Sequence, residues 1–161
     1  MLRAAVLTVS DRSSAGLRED AGGPALTEYL MSHGIEVAWT AIAPDDQEAI
    51  RRVLIKWADD ECADLILTTG GTGLSPRDVT PEATASVLER TAPGMAEAMR
   101  AASMTKTARA MISRAMAGVR GRTLIINLPG SPRGAIENLE VVMPALEHAI
   151  SKIKGDPTDC V

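Results

Sequence analysis

The sequence predicts a single α/β domain in which helices cover both faces of a mostly parallel sheet. Short apolar segments of strand length alternate with longer segments whose apolar residues recur at helical spacing, which is typical of this fold class. A length of 161 residues is enough for one well-buried domain but not for two of ordinary size. We therefore expect a three-layer α/β/α domain over residues 1–155, followed by a short polar tail over residues 156–161.

Two strands and one helix are predicted at the start of the chain. Residues 4–10 are apolar and β-branched enough for a central strand, and residues 11–20 are predicted to form a polar loop. A helix begins at Pro24 and stops at Gly34, because glycine accepts the left-handed backbone of a helix end. Residues 35–42 are predicted to form the second strand.

The second helix has the clearest apolar stripe on the chain, formed by Ile50, Val53, Leu54, Trp57 and Ala58. Asp45 and Glu48 predict a capping box at its start, although Asp46 could serve as the cap equally well. The apolar run Leu65–Thr69 then predicts a buried third strand.

Two further helices are predicted after the third strand. Thr80 is the expected N-cap of a short helix over residues 81–90, with Pro81 at its first position. Pro93-Gly94 should break this helix, and the Ala- and Met-rich segment 95–109 predicts the next one.

A hairpin and a long helix complete the predicted domain. Strands over residues 115–119 and 123–127 flank a turn at Arg120-Gly121. The last helix covers residues 136–153, where Pro144 should kink or split it.

The loop after the third strand is rich in glycine. Three glycines within Gly70–Gly73 would let a ligand approach the main chain, and the helix that follows leaves N–H groups at its start, so that an anion cradle is expected. Neither common phosphate motif fits, because Pro76 stands where a dinucleotide fingerprint needs a third glycine and no lysine lies between Lys56 and Lys106 for a P-loop. The glycines alone would also fit a tight turn.

Four loops are expected to meet at one edge of the sheet, since ligands bind beyond the carboxyl ends of parallel strands. These loops are Ser10-Asp11-Arg12, Pro44-Asp45-Asp46, Gly70–Asp78 and Asn127–Ser131.

Charge and aromatic content exclude several classes of function. A net charge of −4 without a basic run argues against electrostatic binding of nucleic acid or of an anionic membrane. With no Phe, one Tyr and two Trp, the chain lacks the stacking platforms of single-strand binders. A phosphorylated ligand would therefore need local donors or a metal, because the overall field repels it.

The remaining composition indicates a cytoplasmic protein. Cys62 and Cys160 are too few and too far apart for a disulfide framework or a zinc site. The apolar segment at the N-terminus is too short for a secretory leader, and no apolar stretch approaches membrane-spanning length. Neither His33 nor His148 lies in a recognisable motif with a serine or cysteine, which argues against triad chemistry.

The glycine loop is part of a longer pattern. Thr68–Gly73 followed by Arg77–Ala83 resembles the signature of the molybdenum-cofactor biosynthesis family of the MogA/MoaB type, which includes molybdopterin adenylyltransferases. Further segments agree with this resemblance over nearly the whole chain: Ser10-Asp11-Arg12, Asp20-x-x-Gly23-Pro24-Ala25-Leu26, Pro44-Asp45, Ser113-Arg114 and Asn127-Leu128-Pro129-Gly130. The long signature is specific, because several unlike residues must coincide.

The resemblance implies a compact α/β domain, usually assembled as a homotrimer, that binds molybdopterin and ATP. With Mg²⁺ it would transfer AMP to the terminal phosphate of molybdopterin and release pyrophosphate, after which a MoeA-type partner protein would insert molybdate. Such a transfer requires no protein nucleophile, because positioning and charge neutralisation do most of the work.

The candidate site residues follow from the resemblance and from the four loops. Asp45 and Asp78 are the candidate catalytic residues and Mg²⁺ ligands, since Mg²⁺ prefers one or two carboxylates together with substrate phosphates. The candidate binding residues are Ser10, Asp11, Arg12, Thr69, Gly70, Gly71, Thr72, Gly73, Ser75, Ser113, Arg114, Asn127, Pro129, Gly130 and Ser131.

Simpler roles stay open for several of these residues. Asp45 could only cap the second helix, and Asp78 could be a loop residue that favours the dipole of the next helix. Arg77 could be a solvated charge or a phosphate contact. Asn127 could satisfy the Pro129-Gly130 turn or contact a ligand.

Two other functions also stay open. A non-catalytic molybdopterin-binding or scaffold protein of the same fold would hold the cofactor intermediate for a partner. Hydrolysis of a different nucleotide or pyridine ligand on the same scaffold ranks lower. The segment Arg77–Pro81 favours catalysis, because a pure binder has less need of a metal-site carboxylate.

Overall fold

One sheet forms the centre of the structure, a computed structural model that describes residues 1–157. Its strands are β1 (Arg3–Val9), β2 (Glu36–Ala43), β3 (Leu65–Thr69), β4 (Arg90–Thr91), β5 (Ala117–Arg120) and β6 (Thr123–Leu128). They lie side by side in the order β2-β1-β3-β6-β5-β4. The first four of that order are parallel, and β5 and β4 continue the sheet in antiparallel pairs. The prediction of a mostly parallel sheet is confirmed.

Helices cover both faces of this sheet. Within residues 1–157 they are α1 (Asp11–Ser14), α2 (Gly22–Ser32), α3 (Gln47–Ile55), α4 (Thr80–Ala85), α5 (Pro93–Met104) and α6 (Pro132–Ile153). A π-helical turn, Lys56–Asp60, extends α3, and a 3-10 turn spans Ala108–Ile112. The expected three-layer α/β/α arrangement is therefore confirmed. Of the predicted tail, residues 158–161 lie outside the described residues.

Two apolar cores form because neighbouring side chains of a strand point to opposite faces. In β1, Ala4 and Val6 pack against α2, α5 and α6, whereas Ala5 and Leu7 pack against α3 and α4. Both faces of this strand are buried, which explains why it is a continuous apolar run.

The predicted polar loop over residues 11–20 is wrong at its start, where the structure contains α1. The Ser10 hydroxyl accepts a hydrogen bond from the Ser13 N–H at 3.1 Å, and this N-cap is enough to close one helical turn.

The structure selects one of the two candidate caps of α3, and the predicted cap of α4 is wrong. Asp46, rather than Asp45, caps α3 by accepting from the Ala49 N–H at 2.8 Å. Val79 occupies the N-cap of α4, and Thr80 is its first residue. The Thr80 hydroxyl instead donates to the Gly70 carbonyl at 2.9 Å, because both groups are buried and each needs a partner.

The second half of the chain contains three further differences. Arg90–Thr91 forms the short strand β4, which pairs with β5, so the predicted helix over residues 81–90 is shorter than expected. The next helix ends at Met104 because Thr107 has an extended backbone. Pro144 does not split α6, which stays one helix of 22 residues with Pro144 on its exposed side.

Among the described residues, no helix is both long and apolar enough to cross a membrane.

Candidate active site

The four loops expected at one edge of the sheet do meet there. They follow β1, β2, β3 and β6, whose carboxyl ends lie side by side. Between them lies a cavity of about 360 Å³, which we call the acidic cleft. Its lining includes Ser10, Asp20, Asp45, Gly70, Gly71, Asp78, Gly130 and Ser131. The topology therefore brings both candidate carboxylates to one cavity.

Asp11 and Asp45 hold the loops after β1 and β2 together. Each carboxylate accepts a hydrogen bond from the main-chain N–H of the other residue, both at 3.0 Å. Arg77 reaches across from the loop after β3 and binds Asp11 with two hydrogen bonds, from Nε at 2.9 Å and from Nη2 at 3.0 Å. Arg77 is therefore committed to a carboxylate in this structure.

These contacts have opposite effects on the two acids. The hydrogen bond from Arg77 lowers the pKa of Asp11, helped by the N–H of Asp45. Burial raises the pKa of Asp45, and the nearby negative charges of Asp11 and Asp78 raise it further. A half-buried acid with a raised pKa in a cleft is a candidate functional group.

Asp45 and Asp78 are two carboxylates that line the acidic cleft together. Oδ2 of Asp45 accepts from the Asp11 N–H, and Oδ2 of Asp78 accepts from the Ser75 N–H at 3.0 Å. Within the described part of the chain, Oδ1 of each side chain has no hydrogen-bond partner, which leaves one oxygen of each carboxylate for a ligand. Mg²⁺ takes one or two carboxylates together with water and phosphate oxygens. No group of three or more His, Cys, Asp or Glu side chains arranged for a metal occurs among residues 1–157.

The glycine loop supplies main-chain donors. Gly70 and Gly71 have φ values of 102° and 67°, and a Cβ on either would collide, with the Val9 carbonyl oxygen and the Thr80 hydroxyl respectively. The Gly70 N–H is already used, because it donates to the Leu128 carbonyl at 3.2 Å. By contrast, the N–H groups of residues 71–73 find no acceptor among the described residues. Of these three residues, Gly71 lines the acidic cleft, whereas Thr72 and Gly73 do not.

A second cavity lies on the other side of the glycine loop, and sequence reasoning missed it. This basic cleft has a volume of about 280 Å³ and is lined by Thr72, Gly73, Arg100, Ser103, Lys106, Thr107, Arg109, Ser113, Pro129 and Ser131, among others. Arg100 donates to the Ala115 carbonyl at 2.8 Å, and Lys106 pairs with Glu137 at 3.3 Å. The sequence signal for this cleft was the presence of Arg100, Lys106 and Arg109 within ten positions of the chain. These residues are not contiguous, so they do not form a recognisable basic run.

Several candidate binding residues do not line either cleft. Asn127 is fully buried, and its amide donates to the Thr68 and Thr84 hydroxyls, both at 2.9 Å. Arg12 is exposed on α1, and Ser75 is exposed in the loop after Gly73. The Arg114 guanidinium is committed to main-chain carbonyls and to a carboxylate.

Two other candidates support the cleft from its rim. The Thr69 hydroxyl donates to the Pro129 carbonyl at 2.7 Å, which ties the loop after β3 to the loop after β6. Ser131 caps α6 by accepting from the Gly134 N–H at 3.1 Å, and it lines both clefts.

A larger cavity adjoins the acidic cleft and shares Thr8 and Asp20 with it. It has a volume of about 810 Å³ and is lined mainly by apolar atoms of α2 and of the edge strand β2. Met31 and Ile42, exposed by 62% and 45%, border this apolar groove. Its lining residues within the described chain include Asp20 and Glu28 but no basic side chain that would attract a phosphorylated ligand, so the acidic cleft remains the candidate site.

Comparison with known proteins agrees with this geometry. Residues 5–148 match the family model described as a probable molybdopterin binding domain. The chain is 43% identical to the molybdopterin adenylyltransferase of Helicobacter pylori over 155 residues, which is 94% of this chain and 87% of that protein. It is 42% identical to the protein of the same name from Escherichia coli, over 89% of this chain and 75% of that protein.

Solved structures of proteins with this fold also resemble the chain. The crystal structure of the molybdopterin biosynthesis enzyme MoaB from Thermus thermophilus superposes with a TM-score of 0.92 at 53% identity, covering 99% of this chain and 100% of that one. The family match, the identity to curated relatives and the shared fold all extend over almost the full length. The chain therefore belongs to the molybdopterin-binding domain family of molybdenum-cofactor biosynthesis.

Proposed function

We propose that this protein is a Mg²⁺-dependent molybdopterin adenylyltransferase, which transfers AMP from ATP to the terminal phosphate of molybdopterin and releases pyrophosphate. The observation that carries the proposal is the acidic cleft, where Asp45 and Asp78 line the same cavity as Gly71 of the glycine loop. Relatives at 42–43% identity bear the name of this activity. The scaffold and hydrolase alternatives have no observation in their favour.

The reaction is a single displacement at phosphorus. An oxygen of the molybdopterin phosphate attacks the α-phosphorus of ATP, the bond from that phosphorus to the bridging oxygen breaks, and pyrophosphate leaves with the electron pair. Mg²⁺ bound by Asp45 and Asp78 would neutralise charge on the phosphates. The N–H groups of residues 71–73 would orient a phosphate through fixed hydrogen bonds, which need no reorganisation during the reaction.

Two anionic substrates need two places to bind, and the two clefts offer them. The glycine loop separates the acidic cleft from the basic cleft, and Ser131 lines both. Positive charge at Lys106 and Arg109 would attract a second phosphorylated molecule that the net charge of −4 repels. The loop would thus hold the reacting phosphates of both substrates within reach of each other.

The assembly and the cellular setting are part of the same proposal. We expect a homotrimer in which a second copy of the chain covers the apolar groove. A single subunit leaves the large apolar side chains of Met31 and Ile42 exposed to water there. The free thiol of Cys62 suits a cytoplasmic location. The adenylylated product would pass to a MoeA-type protein that inserts molybdate.

The test is a direct assay. Protein incubated with Mg²⁺, ATP and molybdopterin should release pyrophosphate and form a pterin–AMP product, identified by mass spectrometry. We expect Asp78→Asn to lower the rate at least about a hundredfold, because a phosphate-neutralising ligand is lost.

Asp59→Asn is the matched control, since this carboxylate pairs with Arg120 away from the cleft. It should keep the wild-type rate. Molybdopterin binding without ATP-dependent turnover would instead support a scaffold role, and full activity of Asp78→Asn would refute the proposed site.

A further inference from the structure

Arg114 forms hydrogen bonds with two parts of the glycine loop, at residues 72–73 and at Asp78. Its main-chain N–H donates to the Thr72 carbonyl and its Nε to the Gly73 carbonyl, both at 2.8 Å. Its Nη2 donates to the Asp78 carbonyl, also at 2.8 Å, and Nη1 pairs with the Glu82 carboxylate. The guanidinium therefore connects Gly73 and Asp78 of the loop with Glu82 in the first turn of α4.

We propose that Arg114 is a positioning residue that holds the Asp78 carboxylate in place for the transfer reaction, and that it does not contact substrate. The inference rests on the proposed function. All three guanidinium nitrogens already have acceptors, and Arg114 lines neither the acidic nor the basic cleft. Its influence on the site must therefore pass through the loop.

The loop needs this support because its other contacts are mostly internal. The Asp78 N–H donates to the Ser75 carbonyl at 2.9 Å, and Oδ2 of Asp78 accepts from the Ser75 N–H. These bonds define the shape of the turn but not its place in the protein. Gly70 and Gly71, at the start of the loop, are held by Leu128 and Thr80. Residues 73–78 are held from outside by Arg114 and by the exposed pair of Arg77 with Asp11, whose side chains are 65% and 40% exposed. Exposed pairs of this kind are weak.

Arginine suits this role and lysine does not. A planar guanidinium can donate in three directions at once, whereas a lysine amine at the end of a flexible chain cannot reproduce that fork. Hydrogen bonding to Arg114 lowers the pKa of Glu82, so the pair stays charged at neutral pH. Arg114→Lys therefore keeps the charge but removes the geometry.

The experiment compares Arg114→Lys with wild type in two measurements. We expect kcat to fall about a hundredfold with KM for ATP and molybdopterin unchanged, because a displacement near 1 Å at a catalytic group has this effect. We also expect faster amide hydrogen exchange over residues 73–79, measured by mass spectrometry on the protein without substrates.

Arg120→Lys is the matched control. Arg120 forms a comparable clamp, with Nε and Nη2 on Asp59 at 2.9 and 2.6 Å and Nη1 on the Val87 carbonyl at 3.0 Å. It lies at the β5–β6 turn, at the end of the sheet opposite the clefts. This variant should keep the wild-type kcat and the wild-type exchange over residues 73–79.

Four results would overturn the inference. A raised KM with unchanged loop exchange would make Arg114 a substrate contact. An equal loss of kcat in both variants would reduce its role to general stability. A wild-type protein that forms no pterin–AMP would remove the proposed function, and the inference with it, whereas an active wild type with an equally active Arg114→Lys would remove the inference alone.

Discussion

Asp45 illustrates how a proposed site residue lowers the stability of the folded state. Burial and the neighbouring charges of Asp11 and Asp78 raise its pKa above the ordinary value of 3.8. The folded state then binds more protons than the unfolded state between that value and the folded pKa, so this group lowers stability as pH rises through the window. Asp11 has the opposite sign, because Arg77 lowers its pKa.

We expect Asp45→Asn to raise the melting temperature at pH 7 while activity is lost. The amide keeps an acceptor for the Asp11 N–H and removes a half-buried negative charge. The gain over wild type should shrink as pH falls below the folded pKa of Asp45, where the wild-type carboxyl is neutral. Calorimetry between about pH 3 and about pH 8 checks this dependence.

Asp11→Asn is the control of opposite sign. It should lower the melting temperature at pH 7 or leave it unchanged, since exposed ion pairs contribute little. A lower melting temperature of Asp45→Asn at neutral pH would contradict the destabilisation that we assign to its carboxylate.

At the scale of an element, the start of α3 decides which of two adjacent aspartates can serve the site. Asp46 has an extended backbone and accepts from the Ala49 N–H, which satisfies one donor of the first turn. Asp45 is thereby released from capping, and its side chain turns toward the Asp11 loop. The simpler role considered for Asp45 therefore belongs to its neighbour.

We expect Asp46→Ala to reduce the free energy of unfolding by about 1 kcal/mol, the usual value of an N-cap. Asp46→Asn should keep stability near wild type, because asparagine is an equally good cap. Urea denaturation of the two variants measures the difference. Equal stability of both would show that this cap contributes nothing.

At the scale of the whole molecule, β2 is an edge strand whose outer positions are only partly covered. The Arg3 guanidinium lies over the Trp39 ring at 4.5 Å from its centre, and the register with β1 shifts between Ala4 and Ala5. A register shift of this kind discourages the addition of another strand at the edge of the sheet. The adjoining apolar groove nevertheless stays open, which supports its proposed burial by a second copy.

We expect wild type to sediment as a trimer and Ile42→Glu to sediment as a folded monomer, because a charge placed in an apolar interface is costly. Met111→Glu is the matched control, since Met111 is 67% exposed but lies on the 3-10 turn away from the groove. Analytical ultracentrifugation with circular dichroism distinguishes the outcomes. A trimeric Ile42→Glu protein would place any interface elsewhere.

Much of the architecture was predictable because burial on both faces of a parallel strand requires a continuous apolar run. Leu65–Thr69 is such a run, and the stripe that begins at Ile50 has the period of a helix. Polar details were less predictable. A residue such as Thr80 could cap a helix or donate to a distant carbonyl, and the choice depends on Gly70, which is ten positions away.

The sequence by itself determined the fold class, the strand that leads into the glycine loop and the two acids at the ends of different strands. These features depend on local spacing and on residue type. Only the tertiary structure decided that Asn127 is buried, that Arg114 holds a loop, and that a basic cleft lies beside Thr72 and Gly73. Each of those depends on contacts between segments far apart in the chain, and hydrogen-bond partners of that kind leave no periodic pattern.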